Sequence, residues 1–189
     1  MVPGPVNDPE PVREPAISID RVGPGGGVAS DSAFGVALVT LWQQVAEAGG
    51  PVGFPPPVVR ADIAARTAGL IDALRTGRLL GVVANRGRRL VGVGLLRPGR
   101  GERRHTGDVE LLLVDPAHVR CGLGTALMDE LLGIARERDL DRLGVRVQGG
   151  AGLESFFGRF GFAEWGRRPG WIRAGPSGAR DEILLGVQW

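Results

Sequence analysis

Val114-Asp115-Pro116-Ala117-His118-Val119-Arg120-Cys121-Gly122-Leu123-Gly124-Thr125-Ala126-Leu127-Met128 decides the reading of this chain, because an apolar strand turns there through glycines into a helix. The first N–H groups of a helix lack intrahelical partners and sit at the positive end of its dipole, so an anion settles on them without any lysine. Glycines at 122 and 124 let a ligand come close to the backbone. Two other phosphate readers are excluded. A P-loop needs Gly-Lys-Ser/Thr at the helix start, and Gly124 is followed by Thr125-Ala126. A Rossmann fingerprint needs a third small residue where Leu127 stands, and it opens a domain instead of lying late in it.

Working outward, apolar periodicity and Gly/Pro punctuation lay out the other elements. Residues 1 to 15 are rich in proline and charge and read as a disordered tail. Residues 16–22 alternate as a short strand, and Gly23 to Gly27 break it. Ser30 or Asp31 would cap a helix running to about residue 48, and a second helix covers about 61–75. Strands at 79–84 and 90–96 flank the turn 85–89 and read as a hairpin. A longer strand over 108–114 feeds the glycine turn, and the helix after it runs to about residue 138. A strand at 143–147, a short helix at 153–160, a strand from 162 and a last strand at 182–187 complete the order β-α-α-β-β-β-α-β-α-β-β. The expected fold is one mixed α/β domain over 16–189, with six to seven mostly antiparallel strands and helices on both faces.

Composition bounds the function. The chain has 189 residues, 43% of them apolar, and no run approaches the roughly 18 apolar residues of a membrane span. The first residues have neither a basic nor an apolar leader region, so a cytoplasmic protein is expected. One cysteine and two histidines exclude a disulfide framework and argue against a zinc site, so no metal is expected. Every basic residue is arginine and the net charge is only +2, which implies neither nucleic acid nor membrane as a partner. The arginines at 86, 88, 89, 97, 100, 103 and 104 read as solvated loops.

The run at 109–132, followed about 35 residues later by Phe156-Phe157-Gly158-Arg159-Phe160-Gly161-Phe162, resembles the GNAT family of N-acetyltransferases, which use acetyl-coenzyme A (acetyl-CoA). Ala48-Gly49-Gly50-Pro51-Val52-Gly53-Phe54 and Gly166-Arg167-Arg168-Pro169-Gly170-Trp171 are similar to segments of its tabtoxin-resistance type, which modifies a small amino-acid-like toxin. The resemblance implies that backbone N–H groups from Val119, Arg120, Cys121, Gly122, Leu123, Gly124 and Thr125 hold the pyrophosphate. It also implies that Leu113 and Val114 pair with the pantetheine arm and that the Leu112 N–H faces the thioester oxygen. A homodimer is a further family expectation. The chain departs from the family where Gln or Arg and then Gly are usual, having Val119 and Arg120. It also departs at Phe157, which takes the place of a frequent tyrosine general acid in a chain without any tyrosine.

The chemistry implied is attack of a neutral amine on a thioester, which needs placement, a base and oxyanion donors. Asp108 and Glu110 stand two apart on one strand, and either is a candidate base; the family's catalytic glutamate matches Asp108. Ser155 is a candidate hydroxyl, Phe157 a residue packing against the coenzyme, and Cys121 a small loop residue more than a nucleophile. Trp42, Phe54, Trp165 and Trp171 would wall an acceptor pocket with Arg167 and Arg168 at its rim, suited to a substrate carboxylate. The reading is N-acetylation of a small-molecule amine in a ternary complex. Acetylation of a protein N-terminus or lysine is one alternative, and a coenzyme A sensor without catalysis, suggested by Val119 and Phe157, is another.

Overall fold

In the computed structural model, residues 15–24 and 32–189 are described. The expected tail (except Pro15), most of the glycine break and the cap at Ser30 or Asp31 lie outside them. The elements are β1 (Ile17–Val22), α1 (Ser32–Glu47), α2 (Arg60–Arg75), β2 (Leu80–Arg86), β3 (Arg89–Pro98), β4 (Thr106–Val114), α3 (Leu123–Glu137), β5 (Arg142–Gln148), α4 (Leu153–Gly158), β6 (Ala163–Arg173) and β7 (Ala179–Gln188). They form one seven-stranded sheet in the order β1-β2-β3-β4-β5-β7-β6. All neighbours are antiparallel except β4 and β5.

Each face of the sheet buries its own core. Leu127, Met128 and Leu131 of α3 are fully buried against one face, and Leu38, Leu41, Ile63 and Leu74 of α1 and α2 against the other. Each such side chain stabilises the fold by about 1.5–3 kcal/mol. α3 lies close to β3 because that strand presents glycines to it. A Cβ on Gly92 would stand 2.8 Å from Leu127 Cδ1, and one on Gly94 would stand 3.0 Å from Leu131 Cδ1.

The pairing of β4 and β5 decides where a ligand goes. It runs only from Thr106↔Arg142 to Val109↔Val145, although β4 continues to Val114 and β5 to Gln148. On the other side of β4 the register steps from Leu95↔Leu111 to Leu96↔Val109, leaving Glu110 without a partner on β3. This is a β-bulge, which bends a strand and ends its pairing. It also sends Val109 into the α3 core and Leu111 into the α1–α2 core, which plain alternation forbids. Beyond the bulge the two strands separate.

Gly94→Val is expected to lose about 1–3 kcal/mol by driving α3 off the sheet, read as a lower urea midpoint with an unchanged slope. An unchanged midpoint would show that the glycine seat for α3 is dispensable.

Candidate active site

A cavity of about 1160 Å3 opens where β4 and β5 part. β4 lines it with residues 108–112 and Val114, joining the start of α3 at one end to Trp42, Phe54 and Arg66 at the other. Its size is at the upper end of ordinary ligand pockets, about 300–1000 Å3.

The α3 end is built for an anion. Among the described residues, no acceptor takes the backbone N–H groups of Val119, Arg120, Cys121, Gly122, Leu123, Gly124 or Thr125. Arg120 and Gly122 have φ of 62° and 85°, and such left-handed positions turn successive N–H groups inward as a nest. Arg120 thus holds the conformation of the glycine it replaces. Asp115, 2% exposed, anchors the turn from beneath. It accepts from the Ala117 N–H at 2.8 Å and from Arg89 Nη2 at 2.6 Å, and its own N–H donates to Val91 O at 2.8 Å. Val119, Arg120, Gly122, Gly124 and Thr125 line the cavity. The side chains of Cys121 and Leu123 do not: Cys121 Sγ donates to His118 O at 2.8 Å, and Leu123 is buried under α3. Only their backbone N–H groups are left unengaged.

At the bulge the two carboxylates are unequal. Glu110, 14% exposed, accepts from Arg66 Nη2 at 2.6 Å and from Arg97 Nε at 3.0 Å, so both its oxygens are engaged. Asp108 also lines the cavity, and none of the described residues donates to it. Its Oδ1 leans over β5, where a Cβ on Gly144 would come within 2.9 Å.

Backbone alternation corrects one expectation. The bond from Asp115 N–H to Val91 O, with the register Leu113↔Val93, turns the polar groups of Leu113 toward β3. Leu113 is therefore not available to a pantetheine arm. The N–H and C=O of Leu112 and Val114 point the other way, into the gap left by β5. Phe157 is 3% exposed and packs against Phe156 and Phe162 in the core, with only part of it at the cavity wall. Ser155 is exposed and does not line the cavity.

The far end is walled by Trp42 and Phe54, which meet edge to face at 5.2 Å, and Trp42 Nε1 donates to Val52 O at 2.9 Å. Arg167 and Arg168 are not at this wall, which corrects the expected rim. Arg167 is held by Glu164 and Asp181, and Arg168 by Glu182. The Arg167 hydrogen bond keeps the Glu164 carboxyl below its ordinary range, and the Gly170 N–H followed by Arg167 does so for Asp181. Trp165 and Trp171 are 58% and 65% exposed on β6, also away from the cavity. Arg66, Arg146, Phe156 and Arg159 do line it, and sequence reasoning missed them in these roles. Arg66 was findable. It stands three residues after Ile63 and four before Leu70, on the flank of the buried stripe of α2.

A model of the acetyltransferase (GNAT) family matches residues 42–162, which contain both ends of this cavity. The chain belongs to the GNAT family of acetyltransferases. Members of this family use acetyl-CoA, and the unengaged N–H groups at the start of α3 suit its pyrophosphate. Ribosomal-protein-alanine N-acetyltransferase from Brucella melitensis superposes on this GNAT chain with a TM-score of 0.71 at 22% identity, over 91% of this chain and 99% of that one. The Salmonella typhimurium protein yncA, solved with its cofactor acetyl-CoA, gives 0.71 at 18% identity over 92% and 94%. An N-acetyltransferase from Staphylococcus aureus Mu50 gives 0.73 at 11% identity over 92% and 98%. At these identities the likeness is one of fold. No curated protein matches the sequence. Among the described residues, no helix is long and apolar enough to cross a membrane, and no group of His, Cys, Asp and Glu is placed to hold a metal.

Asp115→Ala leaves the Ala117 N–H uncapped and Arg89 unpaired, an expected loss of about 2 kcal/mol in chemical denaturation. Arg120→Gly removes a left-handed non-glycine residue and is expected to raise stability by up to about 1 kcal/mol while keeping acetyl-CoA affinity in calorimetry. A large loss of affinity would mean that the Arg120 side chain, more than the backbone nest, holds the cosubstrate.

Proposed function

We propose that this GNAT protein transfers the acetyl group of acetyl-CoA to a primary amine of a small molecule, with both substrates in the cavity at once. The observation that carries this is one continuous cavity joining the free N–H groups of α3 to an unengaged carboxylate, Asp108, and on to the Trp42–Phe54 wall. Acetyl-CoA, when bound, supplies a thioester whose carbonyl carbon a neutral amine nitrogen attacks; the N–C bond forms, the C–S bond breaks, and the thiolate leaves and takes up the proton that the nitrogen sheds on becoming an amide. Asp108 takes the proton that the ammonium must lose. The Leu112 N–H, directed into the gap, donates to the oxygen on which negative charge develops. Glu110 positions Arg66 and Arg97 instead of acting as a base, because both its oxygens are spent on them. The departing thiolate needs no tyrosine, since a thiol of ordinary pKa near 8.5 is already a fair leaving group. An exposed free thiol at Cys121 suits a reducing cytoplasmic setting.

Asp108→Asn is expected to lower kcat by about 10²- to 10⁴-fold and to change the pH-rate profile, measured by thiol release from acetyl-CoA. Glu110→Gln is expected to act mainly on KM, through loosened arginines. Initial-rate lines at several acceptor concentrations should intersect. Parallel lines would replace direct transfer by an acyl-enzyme, and an Asp108→Asn enzyme of undiminished kcat would remove Asp108 as the base. Coenzyme binding without transfer to any amine would favour a sensor.

A further inference from the structure

At the acceptor end of the cavity, two charged side chains lack a partner among the described residues, and they are neighbours. Asp108 is paired in register with Gly144, and Arg146 follows two residues later on β5, so both project from the face opposite the α3 core. Val145 and Val147, on either side of Arg146, face that core instead. Arg146 comes just after the last β4–β5 pair, at the mouth of the gap, and it lines the cavity. The Asp108 carboxylate leans over Gly144, two residues before Arg146 on β5.

The other carboxylates here are already neutralised. Glu110 is held by Arg66 and Arg97, and Glu182 by Arg168 at 3.0 Å. Among the described residues no carboxylate is ion-paired with Arg146 and no cation with Asp108, although Asp108 also borders a second crevice lined by Arg78, Arg97, Arg100 and Arg103. A negative and a positive group left without ion partners, on a wall where Glu110 and Glu182 are already paired, form the complement of a zwitterion.

Building on the acetyltransferase reading, we propose that the acceptor is an amino acid whose ammonium sits at Asp108 and whose carboxylate is taken by the Arg146 guanidinium. The two ends of such a molecule carry opposite charges a few ångström apart, a span that two side chains standing diagonally on adjacent strands can bracket. The guanidinium fork binds a carboxylate through two parallel hydrogen bonds. The acceptor side chain then faces Trp42 and Phe54, which favours an apolar one. A peptide N-terminus, with no carboxylate beside its amine, leaves Arg146 unpaired.

The test compares thiol release from acetyl-CoA with free leucine, methionine and phenylalanine against their C-terminal amides, on the full chain. Wild-type kcat/KM is expected to favour the acids by about tenfold or more, the worth of a charge-assisted pair. Arg146→Gln is expected to bring the acid-to-amide ratio close to one, and Arg146→Lys to restore part of it. Amides used as well as acids by the wild-type protein overturn the proposal, and that comparison needs no variant to fold. An acid preference that survives Arg146→Gln overturns it too. If amines are acetylated without regard to carboxylate, this inference fails and the transferase reading stands; if no amine, acid or amide, is acetylated although acetyl-CoA binds, both fall.

Discussion

One extra residue on β4 organises this protein. Because Glu110 has no partner on β3, β4 bends, its pairing with β5 stops at Val109↔Val145, and the parallel strands part. A sheet that stayed zipped would satisfy its own backbone and leave no room. Parted, it exposes the N–H groups of Leu112 and Val114 to the cavity and places α3, seated on the glycines of β3, with its start at the same opening. The positions we propose for phosphate, thioester and amine all follow from that separation.

The same bulge divides the labour of the carboxylates. Glu110, pushed out of the ladder, reaches Arg66 on α2 and Arg97 on β3 and becomes part of the wall. Asp108, before the bulge, stays in the regular strand and leans over a glycine with nothing to bind. Two acids two residues apart thus differ in availability through their partners alone. Arginine is distributed by the same rule. Arg167 and Arg168 are consumed by Glu164, Asp181 and Glu182, and Arg146 is left facing the cavity.

Much of the fold was legible along the chain. The order of all eleven regular elements follows from short-range patterns: the glycine turn into α3, the hairpin turn between β2 and β3, and the apolar stripe of α3. The phosphate loop was legible for the same reason, since its donors are consecutive backbone groups. The bulge was not, because Asp-Val-Glu-Leu alternates, the apolar run Leu-Leu-Leu-Val after it suits a strand covered on both faces, and the extra residue appears only against the register of β3. The direction of Leu113 toward β3 was hidden by the same step. Arg167 and Arg168 look free in sequence because Asp181 and Glu182 come from a different strand, brought beside them only by the β6–β7 pairing.

By itself, then, the sequence determined what local physics controls: strand, glycine turn and helix, the anion-seeking backbone, and the residue types available for acid–base chemistry. Tertiary structure decided which of those groups are free to act. Availability depends on charges and hydrogen-bond partners far apart in the chain: Glu110 and Glu182 are taken by arginines from other elements, while Asp108 and Arg146 have no ion pair among the described residues.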